Sequence, residues 1–280
     1  MDAVYDPAYT LKPGTSPVLI SMPHNASRIP PELLVRMQPY AQTSPDTDWF
    51  VDRLYDFAPD LGIGVLAPVW SRYVVDLNRP PDDQNLYPGS DTTGLCPIDC
   101  FDQRPIYLPG QEPDAAEIGQ RVDSYWRPYH RALEAEIARL HTHFGLVIVY
   151  EAHSIASVVP RFFDGPLPDL NLGSNGGASC AESMQDSLVK VAAASGFSWV
   201  LNGRFRGGHI TRAYARPQTG VHTFQLELSQ ATYLDEADRS WMPQRAATIQ
   251  AVLQELLASL LAWSRDQSGS LAGSTAPGAG

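Results

Sequence analysis

The chain has 280 residues, 44% of them hydrophobic and 18% charged, with a formal net charge of −11. That balance excludes an intrinsically disordered chain, and the lack of a basic tract excludes a nucleic-acid partner. No apolar run approaches the roughly 20 residues of a membrane span, so no membrane partner is expected either.

SPVLISMPH (16–24) reads as a buried strand that stops at a histidine. PPELLVRMQPY (30–40) reads as a short helix. SPDTDWFVDRLYDFAPDLG (44–62) reads as a second helix, with acidic residues at its start and Phe50, Val51, Leu54 and Phe57 as its packing face. GVLAPVWSRYVVDLNRP supplies one or two short strands, the second ending in VVDLN. Residues 80–112, rich in Pro, Gly, Asp and Asn, form a long connection of the kind that is functional or covers a site.

From Asp114 to Phe144 a helical period places Val122, Trp126, Tyr129, Leu133, Ile137, Leu140 and Phe144 on one face, with Pro128 expected to kink or split the helix. LVIVYEAHS (146–154) comes after Gly145 as a strand buried on both faces and ends at Glu151 and His153. Burying either residue there is costly unless it is paired or bound. A second long loop covers 160–179, then a helix over 180–195. RFRGGHITRAYARP (204–217) carries a Gly pair that can bring backbone close to a ligand. In VHTFQLELSQ (221–230), Phe224, Leu226 and Leu228 take one face and Gln225, Glu227 and Ser229 the other. A final helix over 243–264 precedes a tail, 267–280, with the composition of disorder.

Strands alternating with helices imply one α/β domain, residues 1–266, with a central mostly parallel or mixed sheet and helices on both faces. Cys96, Cys100 and Cys180 do not make a disulfide framework and are read as ordinary reduced thiols. The opening MDAVYDPAYTLKPG lacks the features of a secretory signal, and a cytoplasmic location is expected.

In open α/β sheets ligands bind beyond the carboxyl ends of the strands. His24 and His153 each end a strand, a third strand delivers Asp76, Asn78 and Arg79, and Glu227 sits on a covered sheet face. Two histidines with carboxylates are the donor set of a catalytic zinc site, where a nearby carboxylate takes a proton from water. Arginines beside it suit a small anionic substrate. His141 and His143, in HTHF, are instead placed at a helix end.

The segments PHNASRIPPE, DTDWFVDRLYDFA, SRYVVDLNRPPDD, LYPG, YEAHSI, PRFFDG, LPDLNLG, GGHITR and FQLELSQATYLDE, in order from about residue 17 to 236, resemble the N-formylglutamate amidohydrolase (deformylase) family of histidine degradation. That family is similar in fold and site layout to zinc carboxypeptidases (phosphorylase/hydrolase-like) and aspartoacylases. The resemblance implies a zinc-dependent deformylase acting on an N-acyl amino acid. His24 and His153 would hold zinc, Glu227 would be the general base, and Asn78 with Arg79 would bind a substrate carboxylate.

For the second carboxylate Arg212 is preferred, with Arg72, Arg161 and Arg204 behind it, and His209 is placed at the pocket wall. Carboxypeptidases carry a zinc carboxylate three residues after the first histidine, where this chain has Ser27. The third ligand is therefore sought in DTD, Asp48 before Asp46, with Glu151 as a further alternative or as a partner to His153. Phe50 is a second departure, at a position where histidine is expected in close relatives. It would alter substrate packing or remove a polar contact behind the site. Two other readings compete. One is a different zinc N-acyl amino acid deacylase or carboxypeptidase-like hydrolase; the other is a non-catalytic carboxylate-binding protein on the same scaffold.

Overall fold

The computed structural model describes residues 6–86, 88–89 and 91–273. Among these residues, seven strands form one mixed sheet: β1 (Tyr9–Lys12), β2 (Val18–Ser21), β3 (Gly64–Pro68), β4 (Val147–Ile155), β5 (Leu170–Gly173), β6 (Trp199–Leu201) and β7 (Val221–Ser229). Their order is β1-β3-β2-β4-β7-β5-β6. The central pairs β3/β2, β2/β4 and β4/β7 are parallel, while β1/β3 and β5/β7 are antiparallel. This is an α/β single-domain fold with a mixed sheet and flanking helices. A small antiparallel pair, β8 (Leu234–Asp235) with β9 (Ser240–Trp241), lies outside it.

The two faces of the sheet have different covers. Ile148, Tyr150 and Ala152 of β4 and Phe224, Leu226 and Leu228 of β7 join one core. That core is closed by α2 (Val51–Leu54), α5 (Glu182–Ala194) and α7 (Pro243–Gly273). Val147 and Val149 point the other way, into a second core closed by α3 (Ala115–Arg121) and α4 (Arg127–Phe144). Along β4 this second face is apolar at its start and then carries Glu151 and His153. Side chains alternate in a strand, so one face can pass from core to site within four residues.

α7 buries Ala246, Ile249, Val252, Leu253, Leu256, Leu257 and Leu260, a 3–4 residue repeat. It is long and apolar enough by composition to cross a membrane, but 44% of its most apolar window is spent on this core. The helix runs to Gly273, into the stretch expected as tail; residues 274–280 lie outside the described residues.

Two other expectations change in detail. The helices expected over 30–40 and 44–62 shorten to α1 (Pro31–Leu34) and α2, the second because left-handed residues at Ser44 and Phe50 interrupt the chain. The stretch ending VVDLN is not a strand. Residues 71–79 form a buried loop whose backbone is held by side chains: Ser71 Oγ accepts from Tyr73 N (3.0 Å) and Asp76 Oδ1 from Asn78 N (2.9 Å). As expected, Pro128 splits the long helix. Lacking an N–H, it cannot close an ordinary turn, and residues Val122–Trp126 widen into a π turn with Arg127 N bonded to Val122 O. Gly208 opens a short helix, α6 (His209–Ala213).

Candidate metal centre

β2 runs parallel to β4, so both strands deliver their carboxyl-end residues to the same side of the molecule. Pro23 removes a ladder donor just past β2 and turns the chain, presenting His24. The loop before α2 is tied to that turn by Asp48 N, which donates to His24 O at 3.0 Å. Asp48 Oδ2 then accepts from Ser154 N at 3.1 Å, fixing the carboxylate between the two histidines.

His24, Asp48 and His153 each offer a donor atom, and the three lie within 4.8 Å of one another, all buried. Asp48 Oδ2 is 3.1 Å from His153 Nδ1 and 3.9 Å from His24 Nδ1. Metal–ligand bonds of about 2.0–2.2 Å in a tetrahedron put neighbouring donors roughly 3.3–3.5 Å apart, and these separations bracket that edge. The donor set therefore fits a divalent cation with small adjustments.

The outer nitrogens are also provided for. His24 Nε2 donates to Asp76 Oδ1 at 2.7 Å, and Arg72 Nη2 donates to Asp76 Oδ2 at 2.7 Å. Such a carboxylate fixes the ring's orientation and leaves Nδ1 as the ligating atom. His153 Nε2 lies 3.5 Å from Glu151 Oε1 and 3.1 Å from Asn78 Nδ2. Glu151 is thus the acceptor that Nε2–H needs when Nδ1 is a ligand, and its other oxygen accepts from Thr211 Oγ1.

Burial sets the electrostatics. It lowers His24, favouring the neutral imidazole that a ligand must be. Burial alone would raise Asp76, but His24 and Arg72 outweigh it and hold the carboxyl well below its usual range. For His153 burial is overcome by the hydrogen bonds to Asp48 and Glu151 and by the charge of Glu227, which raise it well above the usual value. A cation must displace that proton, so metal uptake at this site releases it. Burial pushes Glu227 up to about 8.

One cleft of about 700 Å³ contains the cluster together with Arg72, Asn78, Arg79, Ser154, Arg204, Gln225 and Glu227. Asp91, Thr93, Phe101 and Phe162 complete its walls, so both long loops reach it as expected. Phe101 and Phe162 meet edge to face at 4.9 Å, and Arg72 lies 4.9 Å over the Phe101 ring.

The other predicted residues fall elsewhere. Asp46 is outside the donor cluster: its Oδ2 accepts from Tyr73 OH (2.6 Å) and Phe101 N (2.8 Å), a loop-holding role. Glu151 is behind His153 and not among the three donors. Arg212 does not line the cleft; α6 turns it back so that Nε donates to Gly207 O at 2.9 Å. Arg161 is also off the cleft, pairing Asp91 at 3.0 Å and Asp99 at 2.7 Å and thereby clamping the two loops together. His209 packs against Trp126 (5.7 Å) and His130 (5.6 Å) rather than the pocket wall. Phe50 packs between Trp49 and Trp241, away from the cleft. The Asn78 amide lines the cleft but is already engaged, its Oδ1 accepting from Ile210 N at 2.9 Å. Gln225 was not foreseen, although it shares the face of Glu227; its Oε1 accepts from Gly208 N at 3.1 Å.

A mixed-sheet α/β fold with a buried His-Asp-His cluster, an adjoining carboxyl and cationic walls defines a metal-associated hydrolase. Residues 16–234 match the N-formylglutamate amidohydrolase family, and the chain belongs to that family. It is 50% identical over 264 residues to an N-formylglutamate deformylase of Pseudomonas aeruginosa, covering 94% of this chain and 99% of the relative. A Pseudomonas putida N-formylglutamate deformylase is 45% identical, covering 94% of this chain and 98% of the relative. The crystal structure of N-formylglutamate amidohydrolase from Ralstonia eutropha JMP134 superposes with a TM-score of 0.79 at 24% identity, over 93% of this chain and 99% of that one.

Proposed function

We propose that the cleft hydrolyses the amide bond of N-formyl-L-glutamate to L-glutamate and formate. The observation that carries this reading is the meeting, in one cleft, of a three-donor cluster, a buried carboxyl and cationic side chains. The two Pseudomonas relatives bear the name of that activity and are similar over almost their whole length.

His24, Asp48 and His153 would hold a divalent cation, zinc by the nitrogen-rich donor set, which supplies Lewis acidity toward a carbonyl oxygen and water. Glu227 takes a proton from the attacking water and passes it to the leaving nitrogen. The water oxygen joins the formyl carbon as the C–N bond breaks, leaving formate and the free amine. Burial, the largest cause, pushes Glu227 up to about 8 even with His153 and Arg72 opposing it, and the added charge of a cation held by the neighbouring cluster would draw it back toward the ionised form a base requires.

Two carboxylates on the substrate call for two basic groups. Arg79 makes no ion pair among the described residues and faces the cleft, so it takes the α-carboxylate. Arg204 reaches the same cleft from the loop before Gly207 and takes the side-chain carboxylate in place of Arg212. Arg72 is committed to Asp76 and Asp48 and contributes positive field. Asn78-Arg79 beside the cluster is the layout expected of a zinc-carboxypeptidase-like site, which extends the family reading to that wider group. The three buried free thiols suit a reducing, cytoplasmic setting.

The test is turnover by zinc-loaded protein on a panel varying the acyl group and the amino acid. N-formyl-L-glutamate should be preferred, and Arg204→Ala should cost more on N-formylglutamate than on N-formylalanine. Preference for a longer acyl group would instead favour a different N-acyl deacylase. Zinc binding without turnover of any member would favour a carboxylate-binding protein.

A further inference from the structure

The Leu77–Arg79 triplet belongs to no strand or helix, yet every carbonyl in it has a donor. Leu77 O accepts from His130 Nε2 at 2.9 Å, Asn78 O from His209 N at 3.2 Å, and Arg79 O from Trp126 Nε1 at 2.9 Å. Two of those three donors are ring N–H groups from one helix. Trp126 ends the π turn and His130 lies four residues on in α4, and their rings stack with centroids 3.6 Å apart and an 18° interplanar angle. Tyr214 OH donates to His130 Nδ1 at 2.7 Å, which fixes the tautomer that donates from Nε2. Trp126, His130 and Tyr214 form one stacked unit, with the Tyr214 ring 5.8 Å from His130 on a nearly parallel plane.

The π turn bears on this arrangement. One extra residue in a turn rotates the helix on its N-terminal side by about 100° relative to the helix on its C-terminal side. Trp126 closes the π turn and His130 follows four residues later in regular helix, so the two share one face, aimed jointly at carbonyls two residues apart, and the π turn sets where that face points relative to α3. Both anchored carbonyls flank Asn78, whose side chain reaches His153, and one belongs to Arg79, whose side chain faces the cleft.

We infer that Trp126 and His130 are positioning residues that clamp the Leu77–Arg79 backbone and thereby aim Arg79 at the substrate carboxylate. Neither side chain lines the cleft, so the effect acts through Arg79. The inference rests on the proposed role of Arg79 and adds the structural cause of its placement.

The experiment compares Trp126→Phe, His130→Phe and His130→Gln with Arg79→Ala in the zinc-loaded full chain. Each is assayed on N-formyl-L-glutamate and on N-formyl-4-aminobutyrate, which keeps the formamide and distal carboxylate but lacks the α-carboxylate. Trp126→Phe removes the N–H donor while keeping an aromatic ring, and should raise KM for N-formyl-L-glutamate about 10- to 100-fold, with a smaller change in kcat. Its preference for N-formyl-L-glutamate over the analogue should fall by a similar factor. His130→Gln, which retains a donor, should restore most of what His130→Phe loses. Adding Trp126→Phe to Arg79→Ala should cost little more. The inference is overturned if Arg79→Ala raises KM while Trp126→Phe and His130→Phe do not, or if their losses fall equally on both substrates. If Arg79→Ala itself leaves KM at the wild-type value, the carboxylate role of Arg79 fails first and the inference with it.

Discussion

His153 on β4 and Glu227 on β7 are direct register partners in adjacent parallel strands, and both face the cleft. The ladder places a residue of the donor cluster and the proposed general base side by side without help from any loop. Two rigid central strands are the least deformable mount the fold has. Glu227→Gln keeps the volume and removes the base, so kcat should fall by about 10²- to 10⁴-fold. Zinc stoichiometry should stay at wild type, because Glu227 is outside the donor cluster. Loss of zinc along with turnover would make Glu227 a ligand and not a base.

Asp76 holds two neighbours at once: His24 through one oxygen and Arg72 through the other. Asp76→Asn preserves shape but removes the charge that orients the His24 ring and raises its basicity. Zinc affinity, read by competition with a chromogenic chelator, should drop about 10- to 100-fold. Excess zinc should then recover turnover, whereas His24→Ala should not be recovered. Equal affinity in Asp76→Asn and wild type would show that the His24–Asp76 contact is incidental to metal binding.

The parts of this site legible in sequence are those mounted on central strands. β4 reads clearly because a strand buried on both faces is a nearly continuous apolar run, against which Glu151 and His153 stand out, and β7 because Phe224, Leu226 and Leu228 alternate with Gln225, Glu227 and Ser229. The carboxylate of Asp48 was legible only as a choice among three, since its selection depends on a loop hydrogen-bonded to the His24 turn. The 71–79 stretch looks like a strand because Val74, Val75 and Leu77 are apolar, and all three are indeed buried. What makes it a loop is Ser71 and Asp76 bonding to nearby backbone, a competition that hydrophobic pattern does not record. Arg204 and Arg212 flank the same Gly pair, and only the turn into α6 decides which faces the cleft. The roles of Trp126 and His130 escape the helical period because it records only that a side chain is buried, and not that its ring N–H meets a loop carbonyl.

Gly208 explains the Gly pair in GGHITR. A Cβ there would lie 2.6 Å from Asn78 Cγ, and Asn78 cannot yield easily because its Oδ1 accepts from Ile210 N at 2.9 Å. Gly208→Ala should therefore cost about 1–3 kcal/mol of stability in urea unfolding, the usual range for overpacking. It should also lower kcat/KM by displacing the Asn78 side chain, whose Nδ2 lies 3.1 Å from His153 Nε2. Asn78→Ala in the same chain should relieve part of the stability loss, giving a coupling energy in the double-mutant cycle. Additive losses would show that the backbone accommodates the added methyl instead.

Stability should fall in mild acid for a reason that can be assigned to one residue. His130 is buried under Trp126, and burial pushes it down to about 3 from an ordinary value of 6.5. Its neutral ring is already committed, accepting from Tyr214 OH and donating to Leu77 O, so a second ring proton would break a contact. The unfolded chain takes up that proton near pH 6.5 and the folded chain does not until about pH 3. Between those limits unfolding binds a proton, so the stability present above pH 6.5 is lost as pH falls. At pH 5 the loss relative to pH 7 is about 2 kcal/mol, from 1.36 kcal/mol per unit. His130→Gln removes this titration while other acid-sensitive groups remain common to both chains. The difference between wild type and His130→Gln in urea unfolding free energy should therefore shift by about 2 kcal/mol between pH 7 and pH 5 in favour of the variant. A pH-independent difference would mean that His130 takes up its proton in the folded chain as readily as in the unfolded one, and that the Trp126–His130 stack tolerates the charge.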